Sequence, residues 1–175
     1  MNSNHINIEI KARAADPSLV RNYLISHGAE FRGLDLQTDT YFNVRNGRLK
    51  LREGNIENNL IYYVRPDQSG PKHSDFTLIS FPSPDPIKKV LTKSLGVLAV
   101  VRKKREIYYI GNVKFHIDEL EELGTFIEIE AGNLLQDLPV EKLREQCDYY
   151  MKELKIEEKD LVDVSYSDMI IGEQS

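Results

Sequence analysis

Six short runs of this chain alternate charged with apolar residues, and that alternation limits its possible folds more than any other feature. In "NIEIKAR", residues 7–13, Ile8, Ile10 and Ala12 share one side of an extended strand while Glu9, Lys11 and Arg13 share the other. Successive strand side chains point to opposite faces. "RLKLR" sets Arg48, Lys50 and Arg52 against Leu49 and Leu51, and "YYVR" puts Tyr63 beside Arg65. In "VVRKKRE", Lys103 and Arg105 lie on one side, Arg102 and Lys104 on the other. "KFHID" aligns Lys114, His116 and Asp118 against Phe115 and Ile117, and "FIEIE" aligns Glu128 and Glu130 against Ile127 and Ile129. "TDTYFNV" and "FTLISF" are further strand-like runs, and turn formers such as "RNG", "EGN", "GN" and "LGT" separate the segments. The spacing predicts eight or so strands joined as consecutive antiparallel hairpins.

Helical patterns interrupt this series. "DPSLVRNYLISHG" offers Asp16 as N-cap, Pro17 at the first position, an apolar stripe of Leu19, Val20, Tyr23 and Leu24, and Gly28 as the stop. "DPIKKVLTKSLG", residues 85–96, repeats the Asp-Pro start and Gly stop. "PVEKLREQCDYYMKELKI" carries Leu143, Cys147, Tyr150, Met151 and Leu154 on one stripe, and "SYSDMII" reads as a last short helix. The fold class is therefore α+β, a single domain over residues 1–175. Amphipathic helices must bury their stripes, and the apolar strand faces are the surfaces available. If the helices pack outside a closed barrel, the charged faces point into its lumen, where charges are costly unless paired or ligand-bound.

Charge narrows the ligand. With 23 Lys and Arg against 28 Asp and Glu, the net charge is −5, which argues against a nucleic-acid binder. The bases nevertheless concentrate at 45–52 and 102–105, and the acids at 118–130, which suggests a local anion site. Arginine forks and lysine point charges match phosphate oxygens. Facing acids at Glu9, Asp118, Glu128 and Glu130 suit Mg²⁺ or Mn²⁺, hard cations that take carboxylate and phosphate oxygens together. Acids and bases in one cavity thus predict a metal–polyphosphate site. His116 reads as a structural histidine and Cys147 as core. The single cysteine excludes an internal disulfide and fits a cytoplasmic location. No apolar run reaches the ~20 residues of a membrane span, and "MNSNHINIEI" does not resemble a signal peptide. P-loop, GxGxxG and HExxH motifs do not occur.

The Glu-x-Lys-x-Arg opening, "DTYF", "RLKLR", "YYVR", "RKKRE", "HIDELEELGTFIEIE" and "SYSDMI", in this order over about residues 6–170, resemble the CYTH superfamily of triphosphate tunnel metalloenzymes. The likeness is strongest to its class IV adenylyl cyclase branch. It implies a closed eight-stranded antiparallel tunnel with helices outside, a triphosphate in the lumen and a divalent cation held by carboxylates. By position, Glu9, Glu128 and Glu130, with Asp118 beside them, correspond to metal-binding residues. Lys11, Arg13, Arg48, Lys50, Arg52, Arg65, Lys103 and Arg105 correspond to phosphate contacts, with Lys11, Arg52, Lys103 and Arg105 closest to the chemistry. The family's opening signature is Glu-x-Glu-x-Lys, and its first position here is Asn7, a neutral oxygen donor. The implied activity is an adenylyl cyclase making cyclic AMP and pyrophosphate from ATP. A triphosphatase acting on thiamine triphosphate or tripolyphosphate is the alternative, and a non-catalytic polyphosphate-binding module is the alternative of another class. The resemblance also suggests a homodimer.

Overall fold

A computed structural model describes residues 5–173. The strands are β1 (His5–Arg13), β2 (Glu30–Phe42), β3 (Arg48–Glu53), β4 (Asn58–Val64), β5 (Lys72–Ser80), β6 (Val97–Ile110), β7 (Val113–Leu120) and β8 (Gly124–Gly132). The helices are α1 (Pro17–Ser26), α2 (Asp85–Leu95), α3 (Val140–Glu153) and α4 (Tyr166–Glu173), with a 3₁₀ turn at Glu158–Asp160. All strand pairs are antiparallel, and they close into a barrel in the order β1-β5-β4-β3-β2-β6-β7-β8. The hairpins run β2-β3-β4-β5 and β6-β7-β8. They differ from an uninterrupted series in two places. β1 closes the barrel between β5 and β8, and β2 meets β6 across the excursion that contains α2.

The apolar core lies outside the barrel wall. Ile8, Ile10 and Ala12 of β1, Phe115 and Ile117 of β7, and Ile127, Ile129 and Ala131 of β8 pack under Val20 and Leu24 of α1 and Leu143 and Cys147 of α3. Asp16 caps α1 by accepting the backbone N–H of Ser18, as its sequence requires. A second cluster sits at one end of the barrel. There Tyr166 and Ile170 of α4 pack on Tyr41, Val101, Leu120, Leu123 and Phe126.

Three expectations are corrected. Helix α2 buries none of its residues, and Val90 is 64% exposed, so α1 and α3 cover the wall while α2 lies at its margin. Strand β2 begins at Glu30, eight residues before the "TDTYFNV" run. Its first half is inverted: Phe31, Leu34 and Leu36 are exposed, whereas Asp35, Gln37 and Asp39 are buried. A polar bore reverses the usual correspondence between apolar and inside. Strand β5 likewise begins at Lys72, within a stretch whose Pro and Gly residues read as loop. Among the described residues no helix is long and apolar enough to cross a membrane.

Candidate functional site

The charged strand faces converge on one cavity inside the barrel. Seven cations line it: Lys11, Lys50, Arg52, Arg65, Lys103, Arg105 and Lys114. Four carboxylates face them, Glu9, Glu57, Glu128 and Glu130, together with Asn7. Cations therefore outnumber carboxylates in the cavity lining of a protein of negative net charge, and buried Asp39 and Asp118 offset part of that excess from behind.

Three sets of contacts organise these groups. In the first, Asp39 is fully buried and receives Arg52 through two bonds of 2.9 Å, Lys50 at 3.1 Å and Lys103 at 3.0 Å. Burial pushes the Asp39 carboxyl up, but the Arg52, Lys103 and Lys50 charges outweigh it and hold it well below the usual range. Burial, then the Arg105 charge, lower the Lys103 ammonium to about 7 against the pull of Asp39.

In the second set, Arg105 forks onto Asp118 at 2.6 and 2.5 Å and reaches Glu128 at 2.8 Å. The Tyr166 hydroxyl donates to Asp118 at 2.8 Å, and the Lys11 ammonium lies 3.7 Å over the Tyr166 ring and 3.4 Å from Glu128. Arg105 and Lys11 keep Glu128 ionised despite its burial. The His116 Nδ1 lies 3.1 Å from Glu128 and 3.7 Å from Glu130. Burial, then Arg105, lower the imidazole pKa, which favours the neutral ring. Ligand atoms of His116, Glu128 and Glu130 all fall within 4.8 Å of one another, a spacing that fits one shared cation.

In the third set, Glu57 bonds Arg52 at 3.0 Å and Gln37 at 3.2 Å, and pairs with Lys114. Glu9, on the opposite side of the bore, pairs with Arg65.

Register explains the grouping. Lys11 faces Glu128 and Glu9 faces Glu130 across the β1–β8 ladder, while His116 faces Glu128 and Lys114 faces Glu130 across β7–β8. Of the residues singled out by sequence, Glu9, Lys11, Lys50, Arg52, Arg65, Lys103, Arg105, Glu128 and Glu130 line the cavity. Three do not. Arg13 is exposed, donates to the Leu123 carbonyl at 3.1 Å and lies over the Phe126 ring. Arg48 pairs with Asp67 at 3.0 Å and Asp168 at 2.9 Å near α4. Asp118 stands behind Arg105, its oxygens already taken by Arg105 and Tyr166.

Sequence reasoning missed the acid Asp39, the turn residue Glu57 and the aromatic Tyr166, and took His116 as structural. Lys114 shares a strand face with His116 and Asp118, and that pattern was the available signal for it. Glu57 follows no strand period and carried no signal.

A closed antiparallel barrel whose bore holds clustered Lys, Arg and carboxylates defines a tunnel protein of the triphosphate-tunnel type. The CYTH domain model matches residues 5–166, and the chain belongs to that family. A protein of Methanocaldococcus jannaschii named "Putative adenylate cyclase" is 26% identical over 94% of this chain and 98% of its own length. Among solved structures, one from Vibrio parahaemolyticus with the same kind of name superposes with a TM-score of 0.79 at 18% identity, covering 97% of this chain and 99% of that one. An adenylyl cyclase-named protein of Hippeastrum, described as having a dominant triphosphatase activity, superposes at 0.65 with 16% identity over 97% and 95%.

Proposed function

We propose that the protein is a divalent-metal-dependent enzyme acting on a triphosphate-containing substrate held in the bore, and that it is an adenylyl cyclase converting ATP to cyclic AMP and pyrophosphate. The observation that carries this reading is the surplus of cations over carboxylates within one cavity. The name of the Methanocaldococcus relative supports the cyclase assignment. So do the apolar side chains of Ile61, Phe76, Leu78, Leu134 and Leu135, which share the cavity with the charges and suit a base and sugar.

In this mechanism Lys11, Lys50, Arg52, Arg65, Lys103, Arg105 and Lys114 bind the phosphate oxygens from several walls and fix the chain of phosphorus atoms in line with the attacking oxygen. Asp39 and Asp118 do not touch the ligand. They hold Arg52, Lys103 and Arg105 in place before it arrives, so that little reorganisation accompanies the reaction. Glu128 and Glu130, with the His116 nitrogen beside them and Glu9 on the adjacent strand, would hold Mg²⁺ or Mn²⁺. The fit rests on that mutual spacing and on the donor set of carboxylates and imidazole. A bound divalent ion there supplies charge neutralisation at phosphate oxygens. In the cyclase the ribose 3′-hydroxyl attacks the α-phosphorus and pyrophosphate leaves. A second reading, favoured by the activity described for the Hippeastrum protein, is a triphosphatase in which water attacks the terminal phosphorus within the same clamp.

A product assay tests this with ATP, thiamine triphosphate and tripolyphosphate, each with Mg²⁺ or Mn²⁺. Cyclic AMP from ATP is the expected result, and released phosphate selects the second reading. If no substrate turns over, the enzyme assignment is wrong. Glu128→Ala should lower the observed turnover at least about a hundredfold, and full activity in that variant would remove Glu128 from the metal site.

A further inference from the structure

Glu57 differs from every other carboxylate in the bore. It arrives from the turn between β3 and β4 and not from a strand face. That turn is fastened by Asp35, which is fully buried and accepts the backbone N–H groups of Ile56 at 2.9 Å and Glu57 at 3.0 Å. Gly54 lets the turn come this close, since a Cβ there would lie 2.5 Å from the Asp35 Oδ1. A buried aspartate is thus committed to placing one side chain over the cavity.

What Glu57 touches decides its role. Its hydrogen-bond partners are Arg52 on β3, Lys114 on β7 and the Gln37 amide on β2, all donors. It is not one of the His116, Glu128 and Glu130 group whose ligand atoms lie together. A carboxylate that meets only donors, in a cavity built of phosphate-binding side chains, stands where an anionic ligand's oxygens would go.

Resting on the triphosphate reading above, we propose that Glu57 is a built-in competitor for the last phosphate position of the tunnel, occupying Arg52 and Lys114 at rest and yielding them only to a ligand whose phosphates reach that far. A phosphate group carries up to two negative charges and three acceptor oxygens against one charge and two oxygens for the carboxylate, so a long enough ligand displaces it. A shorter one leaves Glu57 in place. The residue thereby tempers affinity for the triphosphate and leaves that for a diphosphate untouched.

Calorimetry with tripolyphosphate and pyrophosphate, without metal, tests the idea on the full chain. Glu57→Gln keeps the side-chain volume and removes the charge. It should tighten tripolyphosphate binding about tenfold, or about 1.4 kcal/mol, and change pyrophosphate binding by less than about twofold. Glu53→Gln makes the same charge change at a residue paired with Lys88, outside the cavity lining, and should alter neither. Glu57→Ser, which also removes the charge, should repeat the Gln result should the first variant fail to fold. Unchanged or weaker tripolyphosphate binding in the Glu57 variants overturns the proposal, as does an equal gain in Glu53→Gln. If neither the parent protein nor the variants bind tripolyphosphate, without metal or with Mg²⁺ or Mn²⁺ added, the triphosphate reading itself falls.

Discussion

Asp39 concentrates the electrostatic problem of the bore in one side chain. It is fully buried and balances Arg52, Lys50 and Lys103. Replacing it with Asn leaves three cations facing each other in a poorly solvated space. Breaking a buried charge pair costs roughly 3–5 kcal/mol. The lower end applies here, because Lys103 can shed its proton. Urea unfolding should therefore find Asp39→Asn less stable by about 3 kcal/mol at neutral pH, and a loss under about 1 kcal/mol would contradict this role. Since the folded carboxyl is held below its usual pKa of 3.8, its stabilisation is present above that value and lost as the pH falls further. The gap between parent and variant should close in strong acid.

Lys103 provides the counterpart near neutrality. Its ammonium is lowered from 10.5 to about 7 by burial and then by Arg105, so it loses its proton as the pH rises through neutrality. An anion binds the protonated form, so affinity for tripolyphosphate should fall by about thirtyfold from pH 6 to pH 8.5. Protonation of tripolyphosphate itself is common to any variant. The contribution of Lys103 is thus the difference from Lys103→Met, which should bind weakly at both values and lack the additional slope. Parallel pH profiles for the two proteins would rule out Lys103 as the titrating contact.

At the scale of elements, the segment leading into α4 is fastened to the barrel by few bonds. Lys72, at the start of β5 and 1% exposed, donates to the carbonyls of Val162 at 3.0 Å and Asp163 at 2.9 Å. Val162 also donates its N–H to the Lys11 carbonyl, and Leu161 bridges to Ala12. A hydrogen bond from a charged donor contributes about 1.5–3 kcal/mol. Lys72→Met keeps the apolar stem and deletes both donations. Amide hydrogen exchange across residues 163–173 should then quicken by at least about tenfold while β7 and β8 keep their protection. Uniform quickening, or none, would show that Lys72 does not fasten this element.

The elements also show how far the sequence could be read. β1, β3, β7 and β8 were legible because each sets apolar residues under a helix or neighbouring strand and ionic residues in the bore, so period-two alternation survives intact. The first half of β2 was not. Its outward Leu34 and Leu36 meet solvent and its inward Asp35 and Asp39 are buried, which inverts the rule that reads strands from apolar burial. Helix α2 had the pattern of a packed helix and lies nearly free, because no local signal says what an apolar stripe will meet. At the site, strand phase placed Lys11, Lys50, Lys103 and Glu128 in the cavity. It failed for Arg13 and Arg48 near the barrel end, where neighbouring loops and α4 supply other partners. Glu57 depends on a contact between residues 35 and 57 that no short-range pattern encodes.

Taken whole, the molecule has its greasy core between the barrel wall and two helices, and its ionic groups at the centre. The packed layer is therefore distinct from the cavity, and bore residues can change without opening voids in it, although a buried charge such as Asp39 still bears on stability. The end cluster adds an asymmetry. Tyr166 and Ile170 pack across one end of the barrel, with Arg48 tied to Asp168 alongside. Tyr166 belongs to both layers, its ring in the end cluster and its hydroxyl on Asp118 behind Arg105, so a disturbance of the terminal helix reaches the guanidinium in the bore through a single phenol.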